Sequence, residues 1–169
     1  MISILCLMIG AIIGVIVMCL MVVSKESDRP YNKIRVMLDE GARMPTKAHR
    51  TDAGFDIYSP EEVTIKARES VFINTGVHIE LPYGTAGMIK SRSGMNCKFG
   101  IQSEGVIDVG YGGAIGVKLY NHSDEDYTVN KGDKITQLVI MPILMLDLEL
   151  TDEFKATERG NKGFGSSGR

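Results

Sequence analysis

The sequence predicts an all-β domain, a jelly-roll-like β-barrel or sandwich, with an N-terminal transmembrane helix and a flexible C-terminal arm. Three observations favour this architecture. Apolar and polar residues alternate with a period of two in several short runs, and turn residues separate these runs at short intervals. The first 23 residues carry no charged side chain. A length of 169 residues suits one folded domain beside such a helix.

Residues 1–23 are almost entirely apolar and form the predicted membrane anchor. A helix of about 20 apolar residues spans the bilayer core, and this segment has no polar face that would suit a buried core helix. It also lacks the basic start of a secretory signal peptide. Basic residues follow only on its C-terminal side, which predicts a cytoplasmic location for the folded domain. If translation starts at Met21 instead, the protein is simply cytoplasmic.

The polar segment 24–31 is interpreted as a linker, and residues 32–158 as the β domain. The apolar run 135–146 is expected to include a strand buried on both faces. A short helix is expected near residues 92–98. Alternation predicts three further strands, at residues 63–66, 71–74 and 77–81.

Composition excludes several classes of function. The formal net charge of −2 is small and the charges are well mixed, so a general nucleic-acid surface is not expected. Cys6 and Cys19 lie in the apolar segment and Cys97 stands alone. The sequence therefore predicts neither a disulfide framework nor a zinc site.

The most informative segment is 105–121, where two apolar, β-prone runs flank a bend rich in glycine. This pattern predicts a β-hairpin with a wide tip that holds Asp108 and Tyr111. Glycines let the backbone approach a ligand closely, so that bare N–H and C=O groups can read a flat polar ring such as a nucleobase. The plain alternative is an ordinary hairpin with Asp108 as a turn former and Tyr111 as a strand residue.

Four other segments accompany the hairpin in a fixed order. They are AGFDIYS at 53–59, KSRSGM at 90–95, GDKITQLV at 132–139 and RGNKGFGSSG at 159–168. Together the five segments resemble the ordered motifs of the trimeric dUTP pyrophosphatase (dUTPase) family. The resemblance extends from about Asn32 to the C-terminus. One such motif is a weak signal, whereas five in this order are specific.

The resemblance implies hydrolysis of dUTP to dUMP and pyrophosphate, which limits dUTP and supplies dUMP for thymidylate synthesis. Asp108 is then the general base that activates water in line with the α-phosphorus. Tyr111 packs against the deoxyribose and leaves no room for a 2′-hydroxyl. Uracil is read by the main chain at Gly105, Val106 and Ile107 and by the returning strand.

The same resemblance assigns the phosphates to the remaining motifs. Arg92 supplies a cation, and Ser93 supplies a hydroxyl and an N–H at a turn flanked by Gly94. Gln137 is the polar exception in an apolar strand and is expected to face the site, and the resemblance ties it to the phosphates; the alternative is the solvent face of an edge strand. Magnesium is implied, held mainly by the phosphates and water. Asp56 is expected to act on it through water, or else to form a strand-end hydrogen bond.

The C-terminal arm, residues 159–169, cannot bury enough surface to fold by itself and taken alone would be a frayed tail. By resemblance it closes over the active site, with Phe164 stacking on the base. The groups implied for the phosphates are Arg159, Gly165, Ser166 and Ser167. The family also implies a homotrimer with shared active sites, in which the arm of one subunit reaches the site of a neighbour.

Two other functions compete with dUTP hydrolysis. The related dCTP deaminases need an additional glutamate on the strand after the hairpin, and residues 116–119 contain none. If the chain were a non-catalytic, nucleotide-binding regulatory protein, we would expect substitutions at Asp108, Tyr111 or the arm, and all of these are present.

The chain departs from the family pattern at Gly110, where many relatives carry an acidic residue, and at Lys162, where they carry glycine. Its hydrophobic N-terminus is the larger departure, because family members are typically soluble.

Overall fold

The computed structural model describes residues 33–155 together with the isolated residues 13, 14, 18, 157 and 160. Within that part of the chain the fold is all-β, as predicted. Its strands are β1 (Arg35–Leu38), β2 (Gly54–Tyr58), β3 (Val63–Ile65), β4 (Ser70–Asn74), β5 (Val77–Glu80), β6 (Thr85–Lys90), β7 (Ile101–Ile107), β8 (Gly116–Asn121), β9 (Tyr127–Val129) and β10 (Lys134–Pro142). One short helix, α1 (Ser93–Phe99), lies between β6 and β7, where the sequence predicts it.

Six strands form one antiparallel sheet in the order β2-β10-β6-β7-β8-β4. Two further antiparallel pairs, β1 with β5 and β3 with β9, complete the described architecture. The predicted strands at 63–66, 71–74 and 77–81 correspond to β3, β4 and β5. Because the main sheet brings strands from both ends of the chain together, segments far apart in sequence meet at its surface.

The apolar run 135–146 contains the central strand β10, which lies between β2 and β6. Ile135, Thr136 and Leu138 on this strand are buried, in agreement with the predicted strand. The strand ends at Pro142, however, and Leu144 and Leu146 beyond it are exposed. The burial that the apolar composition predicts therefore applies to the first half of the run only.

One hydrophobic core holds the sheet and the small strand pairs together. Burying an aliphatic side chain of this size stabilises the folded state by about 1.5–3 kcal/mol relative to exposure. The largest side chains that are almost completely buried are Ile57, Ile65, Ile73, Ile89, Ile101, Ile115, Leu119, Ile135 and Leu138. These residues lie in or beside the strands that carry the motif residues, so the core fixes the backbone of the candidate site.

The described residues include no helix long and apolar enough to cross a bilayer. The predicted anchor at 1–23 and linker at 24–31 lie outside those residues, apart from residues 13, 14 and 18. The arm at 159–169 lies outside them as well, apart from Gly160. The anchor, the linker and the arm therefore stay predictions.

Candidate active site

The hairpin predicted at 105–121 is formed by β7 and β8, but the two strands pair over three residues only. Ile101 to Ser103 pair with Leu119 to Asn121. Beyond this point each strand stays with its outer neighbour: residues 104–107 of β7 pair with β6, and residues 116–118 of β8 pair with β4. Among the described strands no ladder joins the inner edges of the separated ends. The result is a fork with bare backbone edges.

The connection between the two strands, residues 108–115, begins with a tight turn. The backbone N–H of Tyr111 donates to the carbonyl oxygen of Asp108 at 3.2 Å. Gly110, the third residue of this turn, has a φ of 84°, as a type II turn requires. Glycine adopts this conformation without steric cost, which gives a local reason for a glycine at position 110. The turn leaves Asp108 exposed at its first position.

Tyr111 is folded back over its own loop. Its hydroxyl donates to the carbonyl oxygen of Ala114 at 3.1 Å. The ring lies so close to Gly113 that a Cβ there would be 2.5 Å from the hydroxyl oxygen. Tyr111 is nevertheless 47% exposed, so one part of a fixed aromatic ring faces the solvent near Asp108.

The residues that the resemblance assigns to uracil recognition lie on β7, which forms one arm of the fork. Ile107 is 8% exposed and belongs to the core, whereas Val106 is 58% exposed. Gly105 lies opposite Ile89 of β6 in the ladder. The backbone of this arm is thus held on one side by β6 and by the buried Ile107.

A second group of site residues lies where β2, β10 and the start of α1 meet. The Asp56 carboxylate accepts from Arg92 Nε at 3.1 Å and pairs with Lys134 Nζ at 2.7 Å. Arg92 also donates to the Lys134 carbonyl oxygen at 3.3 Å. Only 15% of the Asp56 side chain is exposed, whereas Arg92 and Lys134 are 35% and 33% exposed, so the carboxylate is shielded from water and its two cations are partly solvated. It unites three of the motifs in one place.

Gln137 and the residues that follow Arg92 complete this region. The Gln137 side-chain amide donates to the carbonyl oxygen of Ser91 at 3.2 Å. Its Oε1 lies 2.9 Å from the position that a Cβ would take at Gly54, so only glycine leaves room for it there. Ser93 and Gly94 form the first turn of α1, and nothing lies within 4 Å of a Cβ placed at Gly94. Gln137 therefore lies beside the ion cluster, opposite Asp56 in the ladder, while Ser93 and Gly94 line an open surface.

Sequence reasoning missed Lys134 and a buried chain of hydroxyl groups. Ser103 Oγ and Thr136 Oγ1 are 2.7 Å apart, and Thr136 Oγ1 donates to the Lys90 carbonyl oxygen at 2.9 Å. Ser91 Oγ accepts from the Ser103 backbone N–H at 2.9 Å. These bonds join the hairpin strand β7 to β10 and to the segment before Arg92. A Lys or Ser in these motifs looks like an ordinary polar residue, since its partners are more than 10 positions away.

The acidic side chains Glu104 and Asp56 of this region are both paired with cations. Lys90 Nζ donates to Glu104 Oε1 at 2.6 Å, and this hydrogen bond and charge hold the pKa of Glu104 below its ordinary value of 4.5. No group of three or more His, Cys, Asp or Glu side chains that could hold a metal ion occurs in the described part of the chain. Asp56 is the one carboxylate of the ion cluster, and both of its oxygens already face cations.

The hairpin tip and the ion cluster are separate within one chain. In the described residues no hydrogen bond or ion pair joins Asp108 or Tyr111 to Asp56, Arg92 or Lys134. The described part of the chain thus places its predicted residues in two groups: a fork with an acid and an aromatic ring, and two cations around a shielded carboxylate. Arg159, Phe164, Gly165, Ser166 and Ser167 of the arm lie outside the described residues.

The chain is similar to known proteins over most of its length. A model of the dUTPase family matches residues 40–168, and a family described as a protein of unknown function (DUF3789) matches residues 3–30. The deoxyuridine 5′-triphosphate nucleotidohydrolase of Clostridium acetobutylicum is 44% identical over 134 residues, which cover 78% of this chain and 92% of the relative. That of Debaryomyces hansenii is 39% identical over 150 residues, or 86% of this chain and 94% of the relative.

Solved structures that resemble this chain are dUTPases as well. The dUTPase of Staphylococcus bacteriophage 80alpha with dUpNHpp superposes with a TM-score of 0.77 at 36% identity, over 82% of this chain and 99% of that one. A variant of the dUTPase of phage phi11 of S. aureus, described with a structural Mg(II) ion, superposes with a TM-score of 0.69 at 34% identity, over 74% of this chain and 100% of that one. This chain belongs to the dUTPase family.

Proposed function

We propose that this protein hydrolyses dUTP to dUMP and pyrophosphate. The observation that carries the proposal is the fork: a bare backbone edge on β7 that leads directly into the turn with Asp108 and Tyr111. Membership of the dUTPase family and the names of the relatives, deoxyuridine 5′-triphosphate nucleotidohydrolases, support the same reaction.

The fork suits the recognition of uracil. Uracil presents an N–H donor at N3 and an acceptor at O4, and a bare strand edge offers both acceptors and donors at fixed spacing. Cytosine presents the reverse pattern, and each buried polar group left without a partner costs about 1–3 kcal/mol. A backbone edge fixed by β6 on its other side cannot shift to accept the wrong base. The same close approach excludes the methyl group of thymine.

Asp108 is proposed to be the general base. Phosphoryl transfer leaves little covalent work to the protein, so catalysis depends on placing water in line with the α-phosphorus and on removing its proton. The exposed carboxylate of Asp108, on a turn held by a backbone hydrogen bond, can do both. The fixed ring of Tyr111, three residues further on, packs against the deoxyribose and excludes a 2′-hydroxyl.

The cationic cluster is proposed to bind the phosphates. Arg92 and Lys134 bring two positive charges against the single charge of Asp56, which leaves an excess of one. Ser93 and Gly94 add polar groups on the open surface beside them, and Gln137 borders the same region. Arg159, Phe164, Gly165, Ser166 and Ser167 of the arm are proposed to cover the nucleotide.

Magnesium is proposed as the cofactor, where it neutralises charge on the phosphate chain. The described donor set fits an ion held by substrate and water rather than by protein ligands, since Asp56 already pairs with two cations. Asp56 would then contact the ion through water and keep Arg92 and Lys134 in place.

A homotrimer with shared active sites is the proposed assembly. Within one chain Asp108 and the cationic cluster do not touch, so a second copy can bring its own cluster to the fork. After β10 the chain also leaves large apolar side chains in water: Leu148, Leu150 and Phe154 are 101%, 98% and 91% exposed. Exposed apolar surface of this extent suits a protein interface. Sedimentation of the purified protein tests the assembly, and a monomer would contradict it.

Residues 1–23 are proposed to anchor the protein in a membrane, with the catalytic domain in the cytoplasm. The apolar composition and the basic residues that follow support this arrangement. Membrane fractionation of the expressed protein, with mass spectrometry of its N-terminus, tests it. A soluble product that begins at Met21 would contradict it.

The variant Asp108→Asn tests the proposed mechanism. Removing a general base slows turnover by about 10²- to 10⁴-fold, whereas binding of a non-hydrolysable dUTP analogue should persist because the amide has the same shape. Asp124→Asn is the matched control, since that side chain is 83% exposed and pairs with Arg68 at 2.8 Å. Unchanged turnover in Asp108→Asn would refute the base assignment.

A further inference from the structure

One short segment, residues 75–78, holds the second half of the active-site connection at two points, Gly112 and Ile115. The backbone N–H and the hydroxyl of Thr75 donate to the carbonyl oxygen of Ile115 at 3.1 and 2.8 Å. The Ile115 N–H donates to the carbonyl oxygen of Val77 at 2.8 Å. Nδ1 of His78 lies 2.9 Å from the carbonyl oxygen of Gly112. Segment 75–78 therefore acts as a support for the connection that carries Asp108 and Tyr111.

The three links differ in their chemistry. Thr75 and Ile115 are fully buried and Val77 is nearly so, and their hydrogen bonds join uncharged groups. The link to Gly112 depends on an imidazole, which gains or loses a proton near neutral pH. Among these contacts, the one made by His78 thus depends on protonation. It is made to Gly112, the residue that follows Tyr111.

Both ring nitrogens of His78 face atoms that can only accept hydrogen bonds. Nδ1 faces the Gly112 carbonyl oxygen, and Nε2 lies 3.1 Å from Oδ1 of Asp39. A neutral imidazole carries one N–H and can satisfy only one of these acceptors. The imidazolium carries two and satisfies both. The geometry therefore selects the charged form of His78.

Asp39 is itself fixed. Its backbone N–H donates to the Gly76 carbonyl oxygen at 2.8 Å. Gly76 has a φ of 66°, and a Cβ there would lie 3.2 Å from the Cβ of Asp39 and 2.9 Å from that of Ala42. The close approach that places Asp39 under His78 therefore depends on a glycine at position 76.

Few other charges act on the ring. On β1 the residue opposite His78 is Met37, and the neighbouring Glu80 is paired with Arg35. Asp108 is the one charged residue of the connection, and no hydrogen bond or ion pair between it and His78 is found in the described region. The hydrogen bond to Gly112 and then the hydrogen bond and charge of Asp39 raise the pKa of His78 above its ordinary value of 6.5, against the opposing effect of desolvation.

We propose that His78, as an imidazolium, is a positioning residue that ties Gly112 to Asp39 and so sets the tip on which Asp108 and Tyr111 stand. The inference rests on the proposed hydrolysis of dUTP. Loss of the proton leaves one N–H for two acceptors, so that His78 loses either its hydrogen bond to Gly112 or its anchor on Asp39, and in both cases the tip is tied less firmly. Alignment of Asp108 and Tyr111 with the nucleotide should therefore weaken as the pH rises through the pKa of His78.

The test combines two measurements on the full-length protein, with Asp39→Asn and His78→Gln as variants. The first is the pKa of His78 from its imidazole C–H resonances, which must be separated from those of only two other histidines. The second is the pH profile of kcat/KM for dUTP. We expect a pKa above 6.5 in the wild type, a lower pKa in Asp39→Asn, and an alkaline fall of kcat/KM, several-fold in size, that shifts by the same amount.

His78→Gln should lose this alkaline fall, and His122→Gln, whose ring stacks on Tyr120 away from the connection, should keep it. The inference is overturned if the profiles of wild type, Asp39→Asn and His78→Gln coincide, or if His78 titrates at or below 6.5. Those outcomes leave the proposed function standing, because dUTP is still hydrolysed. Absence of dUTP turnover at every pH in the wild type would instead overturn the proposed function, and the inference with it.

Discussion

The ring of Tyr111 lies across Gly113, so close that a single methyl group on Gly113 would meet the tyrosine hydroxyl oxygen at 2.5 Å. The hydroxyl group is at the same time bound to the carbonyl oxygen of Ala114. The position of the aromatic ring is thus set by the absence of a side chain two residues further on. This relationship allows the role of the ring to be tested without removing it.

Gly113→Ala should displace the Tyr111 ring and weaken its exclusion of the 2′-hydroxyl. We expect the preference for dUTP over UTP, measured as the ratio of kcat/KM values, to fall by about 10-fold, the size of one lost steric contact. Gly112→Ala is the matched control, because nothing lies within 4 Å of a Cβ at that position. Equal selectivity in the two variants would contradict the proposed role of Tyr111.

The hairpin shows which features of the site can be predicted from the sequence. Alternation and the glycines of segment 105–121 predict two strands, a wide tip, and Asp108 beside Tyr111 at that tip, and the structure has all three features. The fork between the strands is not predictable in the same way. It arises because β6 and β4 hold the outer edges of the hairpin, and both pairings are long-range.

The ion cluster shows which part of the site the sequence does not predict. Asp56 and Arg92 are predicted from their motifs, but Lys134 is missed because a lysine at the start of a strand resembles a solvated residue. Its role follows from the pairing of β2 with β10, which places it beside a carboxylate 78 positions earlier in the chain. Residue types indicate what chemistry is available, whereas tertiary pairing decides which groups meet.

Asp56→Asn should destabilise the fold. The substitution removes the counter-charge of Arg92 and Lys134, which are 35% and 33% exposed. A loss of about 1–2 kcal/mol in the free energy of unfolding is expected, between the values for exposed and fully buried pairs. Urea denaturation measures it. The exposed pair of Arg68 with Asp124 is the comparison, and Asp124→Asn should change the free energy by less than about 0.5 kcal/mol. Equal effects of the two substitutions would be inconsistent with a shielded carboxylate.

The hydrogen bonds of the buried hydroxyl groups of Ser103 and Thr136 run in one direction. Thr136 donates to the Lys90 carbonyl oxygen, so the hydroxyl of Ser103 donates to Thr136 Oγ1. Thr136→Val removes the acceptor of the buried Ser103 hydroxyl and the side-chain donor to the Lys90 carbonyl oxygen, and should cost about 1–3 kcal/mol. Ser103→Ala removes only one donor and should cost less.

A double-mutant cycle on Ser103 and Thr136 completes this test. Their coupling energy, from urea denaturation of the two single variants and the double variant, should be at least about 0.5 kcal/mol. Strict additivity would mean that the two hydroxyl groups act independently, against the 2.7 Å contact between them.

The measurement that tests the central claim most directly is pyrophosphate release in the presence of magnesium, with dUTP, UTP, dCTP and dTTP compared at equal concentration. We expect rapid turnover of dUTP, and turnover of the other three lower by orders of magnitude. Turnover of all four at similar rates would contradict recognition of uracil by the fork. Folded protein that binds dUTP but releases no pyrophosphate would contradict the proposed reaction and favour a regulatory nucleotide-binding protein.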